Sequence, residues 1–467
     1  MKINKLIIIT GMAMGLQSCF VAKNYVRPVK EVVEVQSFRT DKLSQDSLSM
    51  ANLSWRTVFK DEQLTKYSDQ ALNNNMDIRI AIQNVGAAES YVKQGKASFF
   101  PYVNGSVSYS YLNPSLNSSS GINLEERKEL NQYDISAALS WEADIWGKLR
   151  SNYRAANATY LQSISVHQAV KSRLVQSLAS TYYQLLALDE QYRITSETVG
   201  LRTSGLETMK ALKESGQVTE VAVQQSEAQL LNAQALLLDI ENGIKLYENA
   251  FCILLGDFPH AVSRSTIEVQ EVDSVFAVGV PVQLLSNRPD IMSAEYGLIN
   301  AFELTNAARS NFYPALRLTA AGGLQSLEFS DLFNANSLFA SLVGSLTQPI
   351  FNGRQIRTQY EVRKAQQEVA MLNYRKAVIS ASREVSDALY TFTTNTRKIK
   401  LKQQEYAAYS KATQDSEDLL VNGYANYLEV LTAQQNALNA QLSIVSTELA
   451  RLQSFVQLYT AVGGGWR

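Results

Sequence analysis

The stretch Lys96-Ala97-Ser98-Phe99-Phe100-Pro101-Tyr102-Val103-Asn104-Gly105-Ser106-Val107-Ser108-Tyr109-Ser110-Tyr111 changes its hydrophobic period partway along. Before it, from about Glu62 to Lys96, the pattern is that of an amphipathic helix, which the proline at 101 stops. After it the period is two. Val103, Gly105, Val107, Tyr109 and Tyr111 make one face, and Asn104, Ser106, Ser108 and Ser110 make the other. Tyr133, Ile135, Ala137, Leu139 and Trp141 return with the same alternation. The run therefore predicts a helix that hands over to a two-faced β-hairpin, within 102–143.

The hand-over occurs twice. Arg309-Ser310-Asn311-Phe312-Tyr313-Pro314 repeats Lys96 to Pro101 at an offset of 213 positions, counted from Pro101 to Pro314. A second helix, about Pro289 to Ser310, precedes it, and Arg288-Pro289-Asp290-Ile291 stands where Asn75-Met76-Asp77-Ile78 stands in the first half. The strands that follow are Leu316, Leu318, Ala320, Gly322, Leu324 and then Leu338, Ala340, Leu342, Gly344, Leu346, within 316–348. Four strands of about ten residues have the length that crosses a bilayer when tilted. The polar connection Asn113 to Gln132 is expected on the outer side, where barrel loops are long.

Each strand pair leads into a stretch with no breaker, Lys148 to about Glu214 and Arg354 to about Val421. No proline lies between Pro114 and Pro259 or after Pro349, so each stretch predicts a helix of about 100 Å at 1.5 Å per residue. The partner helices carry heptads, Leu230, Leu237, Ile244, Phe251 and Leu431, Leu438, Val445, Leu452, Tyr459. A seven-residue repeat implies coiled-coil pairing, here antiparallel, with a turn at Gly216 in 148–255 and at Gly423 in 353–460. Leu231-Asn232-Ala233-Gln234 and Leu438-Asn439-Ala440-Gln441 follow these glycines by the same interval, so the duplication covers both halves, 61–255 and 287–467. Between them 256–286, with Pro259 and Pro281 and β-like runs such as Thr266 to Val272, reads as a small mixed subdomain.

Composition narrows the function. Charged residues are 19%, and 43 basic against 44 acidic side chains leave a net charge of -1, so no basic field points to nucleic acid. His167 and His260 lie far apart and outside any zinc spacing, Gly95-Lys96 and Gly147-Lys148 lack the rest of a phosphate loop, and no G-x-S-x-G elbow occurs. The expectation is a protein with no catalytic residue, no metal site and no cofactor. At the N-terminus, Lys2 and Lys5 precede the apolar run Leu6 to Leu16, and Leu16-Gln17-Ser18-Cys19 resembles the lipobox of bacterial lipoproteins. This reads 1–18 as a signal peptide, Cys19 as the lipid attachment point and 19–60 as an anchored segment. After processing only Cys252 remains, so no intrachain disulfide forms. No later segment offers 18 consecutive apolar residues, so a span would be a β-barrel.

Four strands cannot close a barrel, and an open edge in lipid is prohibitive, so several chains must share one sheet; periodicity alone allows a dimer, trimer or tetramer. Leu284-Leu285-Ser286-Asn287-Arg288-Pro289-Asp290-Ile291, Ala294-Glu295, Phe312-Tyr313-Pro314-Ala315-Leu316, Asn24-Tyr25-Val26-Arg27-Pro28, Trp55 with Phe59, and Asp144-Ile145-Trp146-Gly147-Lys148-Leu149-Arg150 supply the rest. On these the chain resembles the outer membrane factor family, the TolC-like channels of tripartite efflux systems, in its lipoprotein branch serving RND pumps. The resemblance implies a mixed α and β membrane protein. In it a homotrimer makes a 12-stranded β-barrel in the outer membrane, continued by a periplasmic α-helical barrel.

It also implies a passive exit duct for drugs or other toxic small molecules, working with a periplasmic adaptor and an inner-membrane RND transporter. Type I protein secretion and metal-ion efflux are alternatives within the same architecture. A structural coiled-coil lipoprotein is the alternative from another class. The hairpin turns, with Gly216, Val218, Thr219 and Gly423, Ala425, Asn426, Tyr427, are the expected adaptor-contacting tips. By the same resemblance the helix after the second tip lines a periplasmic gate at Leu428, Glu429 and Thr432, where Thr432 replaces an acidic residue common at its position.

Overall fold

The computed structural model describes residues 21–28, 50–115, 117, 129–270 and 283–467. The readings of 1–18, Cys19 and most of 19–49, and the tip of the first hairpin loop, lie outside the described residues. In chain order the helices are α1 (Trp55–Val58), α2 (Glu62–Asn74), α3 (Met76–Ala97), α4 (Lys148–Glu214), α5 (Glu220–Leu255), α6 (Leu284–Asn287), α7 (Pro289–Ser310), α8 (Gln355–Val421) and α9 (Tyr427–Ala461). The strands are β1 (Tyr102–Leu112), β2 (Leu130–Ala143), β3 (Ala315–Ser326) and β4 (Leu338–Thr347). Contacts divide the chain into a sheet unit, 1–27, 85–162 and 294–373, and a helical unit, 28–84, 163–293 and 374–467.

In the sheet unit the four strands lie in sequence order, each antiparallel to the next, so β1 and β4 are open edges. The register sets Ser108 against Asp134, Glu142 against Arg317 and Arg317 against Ser345 on one face. The other face pairs Val107 with Ile135, Leu139 with Ala320 and Ala320 with Leu342. On the polar face Glu142 accepts from Lys148 Nζ at 2.9 Å and Arg317 Nη2 at 3.2 Å. Both helix-to-strand junctions are tied by an indole: Trp141 Nε1 donates to the Phe99 carbonyl at 2.9 Å and Trp146 Nε1 to that of Pro314 at 2.7 Å. Below them Arg154 holds Glu303 through both carboxylate oxygens, at 2.8 and 2.9 Å.

Residues 21–27 run along α7. Asn306 bonds the Lys23 backbone in both directions, Arg27 grips Glu295 with two bonds, and the Tyr25 ring meets Phe302 edge-on at 5.7 Å.

The helical unit holds the coiled-coil seams. Along α9 Leu431, Leu438, Val445, Leu452 and Tyr459 are buried, the seven-residue seam read from the sequence. Along α5 Leu230 and Phe251 of the expected heptad are buried, whereas Leu237 and Ile244 are only half-buried and Val223, Ser226, Ala233 and Ile240 fill the rest of the seam. One hub fastens the N-terminal helices. Asp61 caps α2 through the Gln63 and Leu64 N–H groups, and its other oxygen accepts from the Tyr182 hydroxyl at 3.0 Å, Gln270 Nε2 at 2.8 Å and the Ser265 hydroxyl. Burial opposes the charge on Asp61, but these bonds outweigh it and hold its pKa below the ordinary value. Burial pushes the Tyr182 phenol up to about 12.

Two expectations are corrected. The helix from Glu62 to Lys96 is two helices, because Asn75 ends α2 and its Oδ1 accepts from the N–H groups of Asp77 and Ile78, capping α3. Within Thr266 to Val272 no strand forms among the described residues; Ile267–Val269 is one 3-10 turn, since Gln270 is drawn into the Asp61 hub rather than into a ladder.

Candidate functional site

The two tips lie side by side in the helical unit, their residues packed on one apolar cluster. Helix α4 ends as Gly216 takes φ +73° and its N–H bonds the Lys213 carbonyl, while Gln217 N–H reaches back to Leu212. Helix α8 ends the same way, with Gly423 at φ +78° and Tyr424 N–H on the Leu419 carbonyl. These are left-handed C-caps, which only glycine adopts without strain. A Cβ at either glycine would meet nothing within 4 Å, so the requirement is conformational and not steric.

Thr219 is the N-cap of α5 by backbone only, leaving its hydroxyl exposed, and an ion pair between Lys213 and Glu220 closes that turn. At the second tip Asn426 Oδ1 accepts from the Glu429 N–H at 3.2 Å while its Nδ2 donates to Glu429 Oε1 at 3.1 Å. This is a reciprocal cap that orients the Glu429 carboxylate at the helix N-terminus, where the macrodipole favours negative charge.

Leu428, Glu429 and Thr432 are all exposed in the single chain, and Thr432 spends its hydroxyl on the Leu428 carbonyl at 2.7 Å. Leu428 and Thr432, one turn apart, line a cleft of about 320 Å³ between α5 and α9 with Gln225, Gln229, Leu431 and Gln435. Val218 and Tyr427 pack on the cluster Leu206, Met209, Val223 and Leu230, and the Ser226 and Tyr427 hydroxyls are 2.8 Å apart. Ala425 is half-buried between the cap residues.

Sequence reasoning missed Arg202. It is 8% exposed and donates to the Gln229 carbonyl of α5 at 2.6 Å and to Gln435 Oε1 of α9 at 2.7 Å. Neither acceptor is charged, and burial lowers the pKa of the guanidinium. The signal was present: Thr195, Val199, Arg202, Leu206 and Met209 step by four and three along α4, so an arginine occupies a seam position of a coiled coil.

The two histidines are not brought together. Burial and the neighbouring Lys171 charge lower the pKa of His167, whereas His260 Nδ1 sits 2.9 Å from the Phe258 carbonyl and 3.4 Å from Cys252 Sγ. Among the described residues no group of three or more His, Cys, Asp or Glu is placed to hold a metal ion.

The profile of the family described as outer membrane efflux protein matches residues 67–257 and 280–464. The cation efflux system protein CusC of Escherichia coli (strain K12) is 27% identical over 97% of this chain and 98% of its own length. The toluene efflux pump outer membrane protein TtgI of Pseudomonas putida is 29% identical over 90% of this chain and 89% of its own. Among solved structures, one of CusC superposes with a TM-score of 0.85 at 26% identity, over 96% of this chain and all of that one. The open state of the MtrE outer membrane channel of Neisseria gonorrhoeae superposes with a TM-score of 0.83 at 25% identity, over 96% of this chain and 99% of that one.

Proposed function

Because this chain belongs to the outer membrane efflux protein family, and so is a subunit of an outer-membrane efflux channel and not an enzyme, we propose that three copies assemble into a passive duct gated at the α9 tip. The observation that carries this reading is the open four-stranded sheet with one apolar and one polar face. Each unpaired backbone group on β1 and β4 would cost several kcal/mol in hydrocarbon, so the edges pair with those of other copies. Three copies of a four-stranded sheet give twelve strands around a polar lumen. Cys19, acylated, anchors each copy beside the barrel, consistent with residues 21–27 being bound along α7 in the sheet unit.

The glycine turns at Gly216 and Gly423 are the surface offered to a periplasmic adaptor, which couples the duct to an inner-membrane RND transporter. Exposed Thr219 and the ordered Asn426–Glu429 cap give this surface a fixed shape. Leu428, Glu429 and Thr432 form the constriction, with a ring of three Glu429 carboxylates favouring cations. The cargo is small toxic molecules, as the likeness to TtgI suggests, and the likeness to CusC over nearly the whole chain keeps metal-ion efflux as the second reading.

The two cargo readings separate in a deletion strain. Restored tolerance of organic solvents and drugs on complementation supports the first, and restored tolerance of metal cations alone supports the second. Cysteine placed at Thr219 or Tyr427 should crosslink to an adaptor in cells with a working pump. Failure at both positions would overturn the tip assignment.

A further inference from the structure

The connection between β3 and β4, residues 327–337, has no assigned role, and its geometry is specific. Resting on the barrel reading, in which the apolar sheet face meets lipid, we propose that this loop is folded outward and seats Phe329 and Phe333 at the acyl-headgroup boundary of the outer leaflet. It does not close over the channel mouth.

The direction of folding follows from one ring contact. Tyr133 belongs to the face that carries Ile135, Ala137, Leu139 and Trp141, and Phe329 packs edge-on against the Tyr133 ring at 5.5 Å. A loop leaning over the pore would instead meet the opposite face, where Asp134, Ser136 and Ser108 stand. The ring chain continues on both sides. Tyr109 of β1 lies 5.1 Å from Tyr133, to which it is directly paired, and Phe333 lies 6.5 Å from Phe329. Four rings therefore form an arc at the end of the sheet remote from the helix junctions. Above them Asn131 stands opposite Tyr111, and the Tyr109 hydroxyl donates to Asn131 Oδ1 at 2.9 Å, so the rim of the face carries an amide and a phenol. Rings with a polar rim above and aliphatic side chains below match the boundary of a bilayer.

The loop is built to hold that position. Part of its backbone is satisfied internally: Asp331 N–H bonds Glu328 O, Leu332 N–H bonds Phe329 O, Asn334 N–H bonds Asp331 O, and Ser337 N–H bonds Asn334 O. The Ser337 hydroxyl ties Asp331 O at 2.7 Å and Asn334 Oδ1 caps the Asn336 N–H. Self-satisfied donors lower the cost of placing an irregular segment against lipid. Leu332 points inward and is 2% exposed, while Phe329 and Phe333 are 63% and 70% exposed. A loop that orders itself, buries a leucine and leaves two phenylalanines outside is incomplete in water. The lipid-facing sheet surface with which it is continuous supplies the occupant.

The test uses the full acylated protein in phospholipid vesicles, with a nitroxide at Phe333→Cys and controls at Leu139→Cys and Ser108→Cys. Collision with oxygen should exceed collision with the water-soluble nickel complex NiEDDA at 333 and at 139, with the reverse at 108. If 139 and 108 behave so but NiEDDA dominates at 333, the loop stands in water and the inference fails alone. If 139 itself favours NiEDDA, the barrel reading fails and the inference with it. Removal of 328–334 should leave single-channel conductance unchanged; a rise would show that the loop had covered the mouth and would overturn the proposal.

Discussion

Arg202→Met probes the tie between α9, the helix proposed to carry the constriction, and the helices beside it. The guanidinium is held by the Gln229 carbonyl at 2.6 Å and by Gln435 Oε1 at 2.7 Å, and only the second bond reaches α9. A hydrogen bond from a charged donor is worth about 1.5–3 kcal/mol, but a buried charge without a carboxylate also carries an unrecovered desolvation cost. Methionine restores most of the packed volume without that cost, so the net change in stability should be small, about 1 kcal/mol or less. The tie to α9 is lost in full, which under the proposed gating should shift the equilibrium between closed and open constrictions by roughly ten- to a hundredfold. Single-channel recordings should show a higher open probability, and a urea midpoint close to that of the wild type should accompany it. Gln435→Leu should open the channel equally and cost more stability, because it leaves the charge buried with one acceptor. A variant of Arg202 that is strongly destabilised, with open probability unchanged, would refute the reasoning and make the residue a fold strut.

Three further outcomes are expected. Asp61→Asn keeps the α2 cap but loses the charge that Ser265, Gln270 and Tyr182 converge on, and should cost about 1–3 kcal/mol at pH 7 in a denaturant titration. Since the folded Asp61 pKa is lowered, its contribution is complete above the ordinary carboxylate value of about 4 and is lost as pH falls through the folded value. The gap between the two proteins should thus stay constant from pH 5 to 8 and close below about pH 4; a gap independent of pH would count against the hub. Glu429→Gln should reduce cation selectivity and divalent-ion block while costing under about 1 kcal/mol, because Asn426 still caps the Glu429 backbone N–H; unchanged selectivity would remove the carboxylate ring. Mass spectrometry of the purified protein should find Cys19 as the acylated first residue, and any other N-terminus would contradict the anchor.

Most of the architecture was legible because it rests on long periods. Alternation over Val103 to Tyr111 and its recurrence after Pro314 marked the strands, the absence of proline marked α4 and α8, and Gly216 and Gly423 marked their ends. What escaped depends on single side chains that no period records. The Asn75 break interrupts a helix pair whose apolar stripe continues on both sides, so only the capping chemistry of one amide reveals it. The Asp61 hub joins residues more than 200 positions apart in the sequence, and no local pattern links Asp61 to Ser265 or Gln270. Arg202 was readable in principle, as a charge at a seam position, but leucine counting passes over it. At the tip, the family resemblance pointed to Glu429 by its distance from Gly423, whereas its orientation comes from the Asn426 amide.

The central claim, that the chain forms a water-filled duct and not a closed coiled-coil assembly, is tested most directly by conductance. Full-length acylated protein reconstituted into a planar bilayer should insert in discrete steps of equal conductance, each the signature of one assembled channel. Protein that is trimeric and folded by circular dichroism yet produces no steps, with the wild type, Arg202→Met and Gln435→Leu alike, would contradict it.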